Sequence, residues 1–267
     1  MNLSQKVGNY VYRALIYFSA FITIGILVLI FGYILFNSIG GFSAEFFKDI
    51  IPMAVSTIYL VCLGILISTP IGICAAIYLV EYAKAGKLVR VIRFATESLS
   101  GIPSIIFGLF GMIFFVEILK LRYSIISGAL TVSMMVMPTI VRTSEEALKS
   151  VPKSYTEGSL GLGASKIRTI VLVVLPSALP GILTSVILSI GRIVGETAAL
   201  IFTAGMVAKL PKSIMSSGRT LSVHLYLLAK EAISFEQSYA TATILVVIVA
   251  ILNLSANKIA KSINKSI

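Results

Sequence analysis

Five polar side chains, Ser185, Ser189, Arg192, Glu196 and Thr203, stand in an otherwise apolar stretch, separated by 4, 3, 4 and 7 residues. On a continuous helix these intervals keep all five on one face, because residues three and four apart stack above one another. Arg192 and Glu196, at i and i+4, have the spacing of an ion pair within the helix. A charge at the centre of a bilayer costs about 2.5–3.5 kcal/mol on insertion scales, so such a face must border other protein or a water-filled path. A guanidinium there suits an oxyanion, since its planar fork matches two oxygens. A pair that only fixes helix packing is the alternative. The hydroxyls extend the stripe beyond the pair, which favours a substrate pathway of Arg192, Glu196, Ser189 and Ser185. His224 is the single histidine, so no zinc cluster is expected. Cys62 and Cys74 lie about 18 Å apart along one helix at 1.5 Å per residue and read as two small buried thiols that cannot pair.

The elements that carry these residues are membrane spans. Of 267 residues, 57% are hydrophobic and 12% charged, about half the charged share of a soluble domain. Residues 14–44, 50–80, 98–116, 123–141, 169–191 and 237–257 contain no Asp, Glu, Lys or Arg. Each approaches or exceeds the roughly 20 residues that cross about 30 Å of hydrocarbon. The first run, preceded by Lys6 and Arg13, is longer than a signal-peptide core of roughly 7–15 residues and reads as a retained anchor. The net charge of +11 divides unevenly: 14 Lys and Arg fall on one side of six spans and 7 on the other, with Arg192 inside a span. The positive-inside rule then places both termini in the cytoplasm. The excess of positive charge is thereby explained by topology, and no nucleic acid is expected.

Along the chain, an external loop is expected from Asn37 to Pro52, and Pro70 is expected to kink the second span. In the third, Gly101, Pro103, Ser104 and Gly108 form a helix-packing motif, small residues allowing close approach. Met134, Met135 and Met137 read as packing. The cytoplasmic segment 142–168 mixes charges, and Tyr155 to Leu162 suits a short helix across the membrane face. Pro176 and Pro180 should end a separate helix over 164–175, so that the fifth span runs from about Ser177 to Gly205 and holds Arg192 and Glu196 mid-bilayer. No repeat relates the two halves, which disfavours an inverted-repeat secondary carrier. Gly86-Lys87 lacks the upstream glycine of a phosphate-binding loop, and Gly161-Leu-Gly163 follows no strand. The chain has no nucleotide site of its own.

One stretch resembles a known family. Glu157-Gly-Ser-Leu-Gly-Leu-Gly163, followed after nine residues by Val173-Val-Leu175-Pro176, is similar to the coupling loop of ATP-binding-cassette importer permeases. That pattern is Glu-Ala-Ala, three residues, Gly, nine residues, then Ile-x-Leu-Pro. Gly158 and Ser159 replace its alanines and Val173 its isoleucine. Residues 97–111 and 191–205 resemble the phosphate-specific permeases, and the second stretch their A-type subunit more than the C-type. The resemblance covers about residues 50–257 and implies an all-α membrane protein of about six helices with the type I importer (MetI-like) fold. It further implies a tail, anchor helix and first external loop over 1–50, and a permease domain over 51–267 with its coupling loop at 142–176.

On that resemblance Tyr155, Glu157, Gly158, Ser159, Gly163, Leu175 and Pro176 meet an ATPase, and Arg192 and Glu196 serve phosphate passage. The implied partners are a second related permease, two cytoplasmic ATPases, an external phosphate-binding protein and membrane lipid. The chain itself binds no cofactor, and ATP and Mg are used by the partner ATPase. The location implied is the bacterial plasma (inner) membrane. The same machine for molybdate or sulfate is the nearest alternative, and a secondary carrier without ATPase is a rival of another class.

Overall fold

The computed structural model describes residues 3–84 and 86–264, with side chains placed for 12–84 and 86–258. Among the described residues every regular element is helical. Helix α1 (Leu3–Ser38) turns almost all its placed side chains outward and touches α11 through Tyr33, whose ring meets that of Tyr239 edge-on at 5.7 Å. A short turn over 39–43 follows, and Ser43 caps α2 (Ala44–Ile77) by accepting from the Phe46 amide at 3.1 Å. The external loop expected as far as Pro52 is therefore shorter, and a boundary at 50/51 falls inside α2. This helix passes Pro52 and Pro70 and continues through a π turn to Tyr82.

The third run is not one rod. Helix α3 (Lys87–Ser100) ends at Gly101, the chain turns by 102°, and α4 (Ser104–Gly111) continues as a π turn to Ile118. Pro103 lacks an amide hydrogen and holds an extended ψ of 139°, while its carbonyl starts α4 by accepting from Ile106 at 3.0 Å. Gly101, Pro103 and Ser104 thus make an elbow instead of the packing motif expected of them. Gly108 does pack: a Cβ there would lie 2.7 Å from Ala199 Cα.

Helix α5 (Ile125–Ser150), capped by Ser124, is the central post and carries the first residues of the expected coupling loop. It meets α2 along a seam of small residues, Gly64, Ser68, Gly72 and Ala76, all buried. A Cβ on Gly72 would stand 2.6 Å from Ile140, and Ser133 Oγ donates to the Gly64 carbonyl at 3.0 Å. Such spacing lets two backbones approach where hydrophobic driving force between helices is absent. The main core, Leu60, Phe107, Val132, Met135, Val136, Ile140, Ile193 and Leu200 among it, collects around this seam.

Helix α6 (Lys153–Gly161) stands apart, then α7 (Lys166–Thr169) runs through a π turn into α8 (Leu175–Val194). Pro176 falls in the first turn after the π register, where a missing donor is least felt. Neither proline stops the helix, and the fifth span is Lys166–Val194, not 177–205. After it come α9 (Ala198–Ile201), a folded connection, α10 (Leu221–Lys230) and α11 (Phe235–Asn264). That connection is pinned to the start of α5, since the amides of Ser124 and Ile125 donate to Thr203 and Ser216 at 3.1 and 3.0 Å. Among the described residues five helices are long and apolar enough to cross a membrane, and six if the bent pair is one span. Cys62 and Cys74 are exposed on the outside of α2 and not buried.

Candidate functional site

Two places gather the residues singled out by the sequence, one in mid-span and one at the cytoplasmic end. In mid-span, α8 stops at Val194, beside Gly64, where a Cβ would lie 3.1 Å from Ile193. Gly64 is at the middle of the uncharged run 50–80 of α2. The end of α8 therefore packs against the middle of the uncharged run of α2. Ser185 and Ser189 are sealed and return their hydroxyls to the carbonyls of Ile182 and Ser185 at 2.6 and 2.8 Å. Arg192, in the last turn, is exposed.

Glu196 lies past the helix end, 9% exposed, and forms no ion pair with Arg192. Its Oε1 accepts from the Ala199 amide at 3.1 Å, and its carbonyl accepts from Ser222 Oγ at 2.5 Å. A carboxylate is well placed at the start of α9, where free backbone donors point outward. Thr203 Oγ1 returns to the Ala199 carbonyl at 2.7 Å. The single polar face expected over 185–203 is therefore broken in two, because Gly195 ends the helix between Arg192 and Glu196. Arg192 is left as an outward guanidinium that joins no ion pair among the described residues. An exposed guanidinium within an apolar span suits a water-filled path or another protein surface.

At the cytoplasmic end, α6 has no buried residue. Gly163, at φ +85°, closes it: the Gly163 amide donates to Leu160 at 2.9 Å and the Ala164 amide to Ser159 at 3.2 Å. This is the Schellman arrangement, which needs a left-handed residue just past the helix. Ser159 Oγ meets Thr169 Oγ1 at 2.9 Å, fixing α6 against α7. Lys166 Nζ reaches the Glu81 carbonyl and sits 4.7 Å over the Tyr82 ring, tying α7 to the end of α2. Tyr155, Leu160 and Leu162 are left outward, Leu162 at 92% exposure, while Glu157 and Gly158 are exposed beside them. Leu175 and Pro176 sit half-buried at the base of α8. The arrangement is a rigid knob of mixed polarity, suited to seating in another protein.

The sequence reading missed a third cluster. Glu145, 7% exposed, accepts from Arg93 Nη2 of α3 and from Lys149 Nζ, each at 2.6 Å. Lys149 also lines a cleft of about 430 Å³ with Lys153, Thr156 and Glu157 of α6. The i, i+4 spacing of Glu145 and Lys149 was a signal for half of it; the Arg93 contact depends on the elbow. On the opposite side, His224 shares a cleft of about 350 Å³ with Lys48, Asp49 and Arg219. Burial, with the Arg219 charge adding to it, pushes the His224 imidazole down to about 4.

Residues 68–267 match the family described as binding-protein-dependent transport system inner membrane component. The chain is 34% identical over 247 residues to a probable ABC transporter permease protein, YqgI, of Bacillus subtilis, covering 84% of each. It is 36% identical over 201 residues to the phosphate transport system permease protein PstA of Pasteurella multocida, covering 74% of this chain and 71% of that one. In some longer relatives the match spans 27 to 63% of their length. Among solved structures, the MetNI methionine ABC transporter in an inward-facing conformation has a chain that superposes with a TM-score of 0.69 at 18% identity, over 83% of this chain and 99% of that one.

Proposed function

Because the chain belongs to the family of binding-protein-dependent transport inner membrane components, as a permease of a type I ABC importer, we propose that its cargo is inorganic phosphate. The observation that carries this reading is Arg192, an outward guanidinium on the last turn of α8 that joins no ion pair among the described residues. A planar fork of donors is what a tetrahedral oxyanion would use on its way through. Relatives that carry the name of the phosphate permease support the choice of anion.

The path is formed between this chain and a second related permease, with Arg192 facing the space between them. An external phosphate-binding protein delivers the anion, and two cytoplasmic ATPases bind and hydrolyse ATP with Mg. The α6 knob seats in one ATPase and passes its closure to α8 through α7. Both termini lie in the cytoplasm of a bacterial plasma membrane, in keeping with the charge bias of the loops. Glu196, in this account, shapes the turn that presents Arg192 and does not itself touch the anion.

The test is Arg192→Gln in the assembled transporter. Uptake of phosphate should fall to background, while Arg192→Lys, which keeps the charge but loses the fork, should retain a small part of it. ATP hydrolysis stimulated by the binding protein should persist in both, since α6 is untouched. Wild-type uptake by an assembled Arg192→Gln transporter would show that the guanidinium is not on the path.

A further inference from the structure

Helix α3 leaves α4 at 102°, so the two cannot both run along the other spans. Its contacts fix its depth. Val89 packs with Leu79 and Val141, Arg93 reaches Glu145, and Thr96 and Ser100 share a cleft with Pro138 and Thr139. The helix thus lies against α5 over residues 138 to 149. Those positions lie about 20–36 Å from the Ile125 end of α5 at 1.5 Å per residue, in the cytoplasmic half of a hydrocarbon core about 30 Å thick and at its inner edge.

Its faces agree with a helix lying in that plane. At 3.6 residues per turn, Arg90, Arg93 and Glu97 share one arc, and Leu88, Ala95 and Leu99 the opposite one. Both arcs are at right angles to the flank that packs on α5. On the side away from α5, Val91 and Phe94 are 62% and 71% exposed, and Leu88 beside them 62%. Lys84, Lys87 and Arg90 are exposed and join no ion pair among the described residues.

We infer that α3 is an interfacial helix that binds anionic phospholipid of the inner leaflet, with Lys84, Lys87 and Arg90 at the headgroups and Leu88, Val91 and Phe94 among the upper acyl carbons. Lys87 stands between Val91 and Phe94 on this wheel, and a lysine stem lying along apolar surface with its ammonium among headgroups, beside Arg90, is the charge complement of an acidic lipid surface. Headgroups held there would set the position of the elbow at 101–103, and through it of α4, whose Gly108 packs on the turn after Glu196. The inference is independent of which anion is carried. It needs only the cytoplasmic placement of 81–97.

The chain contains no tryptophan, which gives a clean probe. Val91→Trp is introduced into the assembled transporter in nanodiscs, and the emission it adds is quenched with brominated phosphatidylglycerol or brominated phosphatidylcholine at equal mole fraction. Quenching should be stronger with phosphatidylglycerol, by roughly threefold or more given the attraction of several basic residues to an acidic surface. Adding K84Q, K87Q and R90Q should bring the two lipids level. Absence of quenching by either lipid would place a partner subunit or water against the face and overturn the inference. Equal quenching by both lipids in the parent V91W transporter would overturn it too, without recourse to the triple variant.

Discussion

Glu196→Gln keeps the oxygen that accepts from the Ala199 amide and removes only the charge. Because Glu196 is paired with backbone and not with Arg192, this variant should assemble and import at near the parent rate. Glu196→Ala loses the cap of α9, at about 1 kcal/mol, and should lower the melting temperature of the purified chain. Equal loss of uptake in both variants would mean that the charge matters and that the carboxylate meets the cargo. Gly163 is argued on its backbone. At φ +85° with open space around its Cβ, a side chain is opposed by conformation alone, at about 1–2 kcal/mol for most residues and less for Asn. Gly163→Asn should therefore retain much of the ATP-driven uptake and Gly163→Val should lose it with the chain still in the membrane. The reverse order would show that the position is read by a partner's surface and not by the Schellman turn.

At the scale of elements, the elbow and the coupling segment are joined by one buried carboxylate. Glu145 holds Arg93 of α3 and Lys149, and Lys149 borders the cleft beside α6. Glu145→Gln leaves two cations without their partner. Since Arg93 and Lys149 are about half exposed, solvent screening holds the cost to about 1–2 kcal/mol, below that of a fully buried pair. A lower melting temperature is expected, together with ATP hydrolysis that no longer tracks phosphate uptake. Unchanged coupling in a destabilised variant would restrict Glu145 to packing. Here the legibility of the sequence also divides. The spans were legible because uncharged runs report burial in lipid directly, and α6 because Glu157 to Gly163 carries its own stop. The elbow was not, since a Gly-x-Pro inside an apolar run reads equally as a packing site or a kink. The fifth span failed for the opposite reason. Pro176 and Pro180 signal a break locally, but a π turn absorbs the first, and Gly195 ends the helix instead. With the end misplaced by about ten residues, the i, i+4 argument for an Arg192–Glu196 pair had no helix to act on.

For the whole molecule, α4 packs on the α9 turn that follows the end of α8, while α6, with no buried residue, stands beyond α7. A knob at one end and an exposed arginine at the end of α8 fit the proposed permease that moves an anion when its ATPase closes. The most direct measurement is uptake of labelled phosphate by proteoliposomes that hold this chain with its co-expressed permease, ATPase and binding-protein partners. The account predicts accumulation that requires ATP and the binding protein and is not displaced by excess sulfate or molybdate. ATP-driven accumulation of sulfate or molybdate in place of phosphate, or phosphate uptake that proceeds without the ATPase, would contradict it.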